Sequence, residues 1–162
     1  GADAIWCRWL AIFVSDPGLL VRKMAAAVKP GGRLVVHEYV HYETYQSVPH
    51  SAHLEQFVQH VMDSWRAFGG EPNVARTLPG HLAAAGCRLI ETRPISFSAQ
   101  PHQPVWRWPA SFIDINLQRM LELGQVDEAW AATLRADFAA LQSNPNALLI
   151  TPMVLEIIAE KL

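Results

Sequence analysis

The stretch ADAIWCRWLAIFVSDPGLLVRKMAAAVKPGGRLVVHEY (2–39) decides the fold of this chain. Its apolar run from Ala4 to Trp6 predicts a strand that is buried on both faces. A second apolar, β-branched run from Arg33 to Val36 predicts another buried strand. Residues 18–28, between them, have the apolar spacing of a helix. Strand, helix and strand in this order predict a βαβ unit with two parallel strands and a right-handed crossover.

The ends of the predicted helix are marked by turn and capping residues. Asp16 is a good N-cap, and Pro17 at the first helical position loses nothing, because the N–H that proline lacks would be unpaired there. Lys29 and the turn Pro30-Gly31-Gly32 end the helix, since proline and glycine do not continue it.

Beyond residue 39, apolar periodicity predicts further helices and strands around two irregular segments. The segment 41–50 is polar and aromatic, and the segment 101–109 is rich in proline, histidine and tryptophan, so both predict loops. Helices are predicted at 52–68, 78–85, 111–123 and 127–141, and strands at 87–97 and 153–159.

Composition excludes several classes of protein. The chain has 162 residues, 51% apolar and 17% charged, with a net charge of -2, so it is neither disordered nor basic enough to favour nucleic acid. No apolar run is long enough to span a membrane. Cys7 and Cys87 each lie in apolar runs, which predicts buried, reduced thiols. With no secretory leader in the sequence, we expect a cytoplasmic protein.

The sequence HEYVH (37–41) matches the zinc-peptidase pattern H-E-x-x-H. That chemistry needs a helix, which brings both histidines to one zinc ion. Here the motif extends the strand former Arg33–Val36. On a strand, His37 and His41 would lie about 13 Å apart, at roughly 3.3 Å per residue, too far for one metal ion. A zinc peptidase using His37, Glu38 and His41 is therefore the alternative function, and we predict no metal site.

Four segments, in order, resemble class I S-adenosylmethionine-dependent methyltransferases. The stretch 2–39 resembles the fourth strand, the following helix and the fifth strand of that family, with Lys-Pro-Gly-Gly as the most distinctive part. LPGHLAAAGCRLIETRPI (78–95) resembles the helix before the sixth strand and that strand. PMVLEIIAEK (152–161) resembles the last strand, which in this family inserts antiparallel to its neighbours.

The resemblance implies an α/β fold: the C-terminal half of a Rossmann-like methyltransferase sheet, mixed, with the last strand antiparallel and added helices. Residues 1–162 would be a single partial domain. The family's Gly-rich turn after the first strand, which holds the cofactor, has no counterpart, because no G-x-G occurs in the sequence. The resemblance therefore implies methyl transfer by a full-length parent. We expect this fragment alone to be inactive and not to bind S-adenosylmethionine.

By the same resemblance, the residues after the fourth strand face the cofactor. Cys7, Arg8 and Trp9 would bind its methionine part, and Arg8 either pairs with the cofactor carboxylate or makes a structural ion pair. Ile12 and Phe13 would line the substrate pocket beside the transferred methyl group, or pack in the core.

Residues after the fifth strand point to the same cleft. His37, Glu38 and His41 are candidate catalytic groups that take a proton from a nucleophile, although many methyl transfers need only alignment and desolvation. Tyr39, Tyr42 and Trp106 are candidate substrate-pocket residues. The segments 39–68 and 101–145 would be lid or substrate-side insertions over a small-molecule acceptor, or their aromatic side chains pack against the sheet.

A third reading is a non-catalytic interaction domain that has kept this half-fold.

Whether the half-fold belongs to a methyltransferase or to an interaction domain, the apolar strand at Ala4–Trp6 would present an uncovered sheet edge, because its neighbours in the family's sheet have no counterpart here. Such edges pair with other chains, so we expect self-association through it.

Overall fold

The βαβ prediction for residues 2–39 is confirmed by the computed structural model, which describes Gly1–Leu162. Strands β1 (Ala2–Arg8) and β2 (Val28–His41) are parallel and joined through helix α1 (Pro17–Ala27). Gly31 in the predicted turn has a φ of 77°, a conformation that glycine adopts without strain. The other elements are β3 (Gln46–Val48), α2 (Ala52–Ala67), α3 (Leu78–Ala84), β4 (Cys87–Ile95), β5 (Ser98–Ala99), α4 (Arg107–Glu122), α5 (Glu128–Ser143), β6 (Leu148–Ile150) and β7 (Met153–Lys161).

The main sheet has the strand order β1-β2-β7-β4. β7 is antiparallel to both of its neighbours, β2 and β4. β4 therefore runs in the same direction as β1 and β2, and the last strand of the chain is inserted antiparallel between two strands of that direction. This confirms the predicted α/β fold with a mixed sheet.

The chain divides into two compact units. The first comprises Gly1–Tyr42, Ser64–Ile95 and Met153–Leu162, and contains the main sheet. One face of the sheet carries buried side chains, including Leu34, Val36, Ile157 and Ala159. Helices α1 and α3 contact each other and this sheet. No helix of the chain is long and apolar enough to cross a membrane.

The second unit comprises Glu43–Asp63 and Ser96–Pro152. Its small sheet has the order β3-β6-β5, and α4 contacts α5. The segment predicted as a loop at 41–50 contains the short strand β3, and the segment predicted as a loop at 101–109 contains the first residues of α4. Each of these stretches is too short to show a periodic apolar pattern. Thr151-Pro152 separates β6 from β7, because proline lacks the N–H that a continuous ladder needs.

β1 differs from the sequence prediction in its burial. The apolar run was predicted to be buried on both faces, but most of β1 is exposed and Trp6 is 62% exposed. β1 lies at the edge of the sheet, where β2 is its only partner, and Trp6 shares with its register partner Val35 the face opposite the buried Leu34 and Val36. Self-association through this edge stays a prediction.

The N-terminus of α1 allows the capping role of Asp16 to be tested. Asp16 accepts a hydrogen bond from the Leu19 N–H at 2.7 Å, which confirms the predicted N-cap. Replacing Asp16 with Ala should lower the free energy of unfolding by about 1 kcal/mol, measured by urea denaturation. Asp114→Ala, at an exposed position inside α4, is the control and should cost nothing. Equal losses in the two variants would contradict the capping role.

Candidate functional site

The candidate site lies where the parallel strands β1 and β2 end. Ligands of open α/β sheets bind outside the carboxyl ends of the strands. At this edge the chain leaves β1 at Arg8 and forms a loop, Trp9–Phe13, before α1 begins. β2 ends beside this loop, and His37 to Tyr39 lie near the carboxyl end of β2. The loop Trp9–Phe13 is the central feature of the site.

Backbone groups of this loop are bound by β2. The Trp9 N–H donates to the His37 carbonyl oxygen at 3.0 Å. The N–H groups of Leu10 and Ala11 both donate to Oε1 of Glu38, each at 2.7 Å. Trp9 has a φ of 51°, in the left-handed region that non-glycine residues rarely adopt. These bonds explain how the loop keeps a conformation that costs energy.

Glu38 is a fully buried carboxyl group, with 0% of its surface exposed. Its second oxygen, Oε2, is buried and has no hydrogen-bond partner. Burial removes water from the charged form and raises the pKa of Glu38 to about 7, although hydrogen bonds from the loop N–H groups act in the opposite direction. Glu38 therefore changes its charge near neutral pH.

Aromatic side chains pack together beside the loop. Trp9 stacks on Tyr39 with ring centroids 5.8 Å apart, and Tyr39 meets Tyr42 edge-on at 4.9 Å. Trp65 of α2 contacts Tyr42 at 5.0 Å and Phe13 at 5.5 Å. We call these five side chains the aromatic cluster. Tyr39 and Tyr42 are buried, and burial raises the pKa of Tyr39, so it stays a neutral phenol.

The segment after α2 supports the loop from another side. The Glu71 N–H donates to the Ile12 carbonyl oxygen at 3.1 Å. Gly70 lies so close to this carbonyl that an added Cβ would overlap its oxygen. Asn73, which is buried, accepts a hydrogen bond from the Tyr42 N–H at 2.7 Å. The segment after α2 thus binds the loop at Ile12 and the residue after β2, Tyr42, through one hydrogen bond each.

A groove of about 750 Å³ opens beside β1. Cys7, Arg8 and Trp9 line it, together with Leu20 and Met24 of α1. The Arg8 guanidinium lies over the Trp9 ring, 3.8 Å from its centroid, in a cation–π arrangement. Cys7 is a buried thiol whose pKa is raised by burial and by the nearby Glu38. The groove therefore combines apolar walls with one cationic group.

The motif 37–41 lies on β2, which confirms that it is a strand and not the helix of a zinc peptidase. Neighbouring strand residues face opposite sides, so the buried Glu38 and the His37 ring point away from each other. His37 Nε2 lies 2.7 Å from Oε2 of Glu156, and its ring meets Trp6 edge-on. His41 is exposed at the strand end. No group of three metal-ligating side chains is found in the chain.

The candidate cofactor-binding residues Cys7, Arg8 and Trp9 line the groove. Of the candidate pocket residues, Ile12 and Phe13 belong to the loop and Tyr39 and Tyr42 lie on or just after β2; only Phe13 of these four is exposed. Trp106 belongs to the second unit, where it is buried and stacks on Phe138.

Sequence reasoning missed Trp65, Gly70 and Glu156 as parts of the site. Trp65 lies in the helix predicted at 52–68, and Gly70 lies just after it. Nothing in the local pattern around Glu156 indicates that it pairs with His37, because the pairing depends on strand register.

No family model and no curated protein sequence matches this chain. Solved structures do. A candidate methyltransferase from Bacillus halodurans C-125 is similar with a TM-score of 0.54 and 14% identity, over 98% of this chain and 69% of that one. The [4+2]-cyclase SpnF is similar with a TM-score of 0.50 and 18% identity, over 98% of this chain and 50% of that one.

The similarity to the Bacillus halodurans structure shows that this chain has part of a methyltransferase fold. A phosphoethanolamine N-methyltransferase 2 from Haemonchus contortus, solved with S-adenosylhomocysteine, has a TM-score of 0.43 and 14% identity, over 98% of this chain and 33% of that one. At such identities the similarity concerns the fold. A cyclase among these structures shows that one fold serves different reactions, so function must be argued from the site.

Proposed function

We propose that this chain forms the acceptor-side wall and part of the cofactor cleft of an S-adenosylmethionine-dependent methyltransferase. The observation that carries the proposal is the sheet order β1-β2-β7-β4, with the last strand antiparallel to both neighbours and the candidate site at the carboxyl ends of β1 and β2. The substrate is a small-molecule acceptor. The net charge of -2 argues against nucleic acid.

The groove residues fit one part of the cofactor. Its apolar walls suit the methionine chain, and the Arg8 guanidinium suits the carboxylate, with which arginine forms charge-assisted hydrogen bonds. The cofactor, when bound, supplies a methyl group activated on a sulfonium. No Gly-rich turn for the rest of the cofactor occurs in the sequence. We therefore expect these 162 residues alone to be inactive and not to bind the cofactor.

On the acceptor side, Phe13 and the rest of the aromatic cluster provide apolar surface that excludes water. The segments 39–68 and 101–145, the latter with Trp106, remain our proposed lid or substrate-side insertions. Two of the three candidate catalytic groups already have partners: His37 Nε2 pairs with Glu156, and Glu38 is buried against the loop. Methyl transfer then proceeds by alignment and desolvation of an acceptor that is already nucleophilic.

Calorimetry with S-adenosylhomocysteine tests the proposal. The complete product of the gene that encodes this chain should bind it, whereas the 162-residue chain should give no binding heat. Methyl transfer from labelled S-adenosylmethionine to small aromatic acceptors is the activity assay. A complete gene product without any affinity for S-adenosylhomocysteine would refute the cofactor assignment.

Arg8 gives a residue-level prediction. In the complete gene product, Arg8→Ala should weaken S-adenosylhomocysteine binding about tenfold or more, because one charge-assisted hydrogen bond to a carboxylate is lost. Arg88→Ala, on the opposite edge strand β4, is the control and should leave binding unchanged. Unchanged affinity in Arg8→Ala would remove Arg8 from the cofactor site.

A different reaction on the same fold is the second candidate, favoured by the similarity to the cyclase SpnF. In that case the gene product binds S-adenosylhomocysteine or an apolar substrate but transfers no methyl group. The two assays together separate these functions. A non-catalytic interaction domain would fail both.

A further inference from the structure

We propose that Glu38 is a positioning residue whose carboxyl group holds the loop Trp9–Phe13 in place and makes the closure of this loop sensitive to pH. This assigns a role to the H-E-x-x-H motif that involves neither a metal nor proton transfer to an acceptor. The relevance of the loop to methyl transfer rests on the proposed function, but the attachment of the loop through Glu38 and its pH dependence do not.

The first argument is the hydrogen-bond geometry. One oxygen of Glu38 accepts from two consecutive loop N–H groups, those of Leu10 and Ala11, at 2.7 Å each. These short bonds connect residues 28 and 27 positions apart in the chain. Because the side chain projects from a strand that is paired on both sides, it gives the loop a rigid point of attachment. The neighbouring Trp9 bond to the His37 carbonyl oxygen continues the same attachment.

The second argument is the unpartnered oxygen. Oε2 of Glu38 is buried and accepts no hydrogen bond. A proton on this oxygen would neutralise the buried charge and leave Oε1 free to accept both loop N–H groups. A general base, in contrast, must reach the proton that it abstracts, and this oxygen is buried. The geometry therefore favours positioning over proton transfer.

The charged and titratable groups around Glu38 do not neutralise it. From β1, the Cys7 thiol faces it and has its own pKa raised in part by the Glu38 charge. On β2, burial raises the pKa of Tyr39 most, and the Glu38 charge raises it further, while the Arg8 charge lowers it. Arg76 donates from its Nε to the Val40 carbonyl oxygen. From β7, Glu156 pairs with His37 on the opposite face of the sheet.

Linkage gives the direction of the effect. Opening of the loop admits water to Glu38 and returns its pKa towards the ordinary value of 4.5, whereas the closed loop raises it to about 7. The closed loop therefore binds the proton more tightly, so closure is favoured at low pH and is weakened as the pH rises through 7. The same argument predicts about a tenfold greater fraction of open loop at about pH 8 than at about pH 6.

Amide hydrogen exchange followed by NMR on this chain tests the proposal. After correction for intrinsic exchange rates, protection of the Leu10 and Ala11 amides should fall about tenfold between about pH 6 and pH 8. If low concentrations of urea do not change the exchange rates of these amides, exchange occurs through local opening of the loop and not through global unfolding. Glu38→Gln keeps an acceptor oxygen without a titrating group, so the pH dependence of protection should disappear. Glu156→Gln, on the opposite face, should retain it.

The wild-type pH series requires no substitution and is informative even if Glu38→Gln folds poorly. Protection that is constant between about pH 6 and pH 8, or a pH dependence that persists in Glu38→Gln, would overturn the proposal. So would Leu10 and Ala11 amides that are unprotected at all pH values. These outcomes are independent of S-adenosylhomocysteine binding, so failure of the loop proposal is distinguishable from failure of the proposed function.

Discussion

Raising the pH from about 5.5 to about 8 should lower the free energy of unfolding of this chain by about 2 kcal/mol, out of about 3 kcal/mol for the whole titration of Glu38. Glu38 is fully buried, and its pKa is about 7 in the folded chain against 4.5 for an ordinary glutamate. A raised carboxyl pKa means that the folded chain binds a proton more tightly than the unfolded chain.

The sign follows from proton binding. The favourable contribution is fully present below pH 4.5, where both states are protonated, and it is lost as the pH rises to 7 and above. The pKa values of Asp137 and Glu160 are lowered, mainly by hydrogen bonds from His53 and Arg88 respectively. Burial acts to raise the pKa of Glu71, but a hydrogen bond from the Asn73 N–H and the nearby arginines together lower it. The contributions of these carboxyl groups are lost only at more acidic pH, below this window.

Urea denaturation at several pH values measures this effect. Glu38→Gln should flatten the pH dependence, so that the substitution costs about 2 kcal/mol less at about pH 8 than at about pH 5.5. Glu91→Gln is the matched control, because Glu91 is exposed on β4 and should leave the wild-type slope unchanged. A wild-type stability that rises over this range would show that Glu38 is ionised in the folded chain at low cost.

Much of the main sheet was predictable because its signals are local. The run Arg33–Val36 continues into the motif 37–41, and this continuity placed the motif on a strand despite its similarity to a helical zinc site. Asp16 marked the start of α1 through capping, whereas α1 ends at Ala27 and the predicted turn with Gly31 lies within β2. The antiparallel last strand, β7, came from the resemblance, because no local pattern fixes strand direction.

The site was less predictable because its defining contacts join distant residues. Glu38 was a candidate because it follows the predicted strand, but its attachment to Leu10 and Ala11 depends on the path of the chain after β1. The exposure of Trp6 depends on which strand is at the sheet edge, and apolar composition does not contain this information. Trp65 has the spacing of a core residue in a helix, yet its ring completes the aromatic cluster beside the loop.

Gly70 is the second position where a small change should have a large effect. An added Cβ would overlap the Ile12 carbonyl oxygen, which is a backbone atom of the loop and accepts the Glu71 N–H. The loop cannot move away freely, because Glu38 holds its other side. Gly70→Ala should therefore lower the free energy of unfolding by about 2–3 kcal/mol, the cost of forcing extra volume into a packed site.

Gly80→Ala is the matched control for this substitution. Gly80 lies in α3, and an added Cβ there meets nothing within 4 Å, so alanine should raise the free energy of unfolding by about 0.5–1 kcal/mol through its better helix propensity. Urea denaturation of both variants gives the comparison. If Gly70→Ala were as stable as Gly80→Ala, the loop would have room to retreat, and a rigid attachment through Glu38 would be untenable. A large loss in Gly70→Ala, together with greater exchange of the Leu10 and Ala11 amides, would instead show that stability and loop position depend on the same contacts.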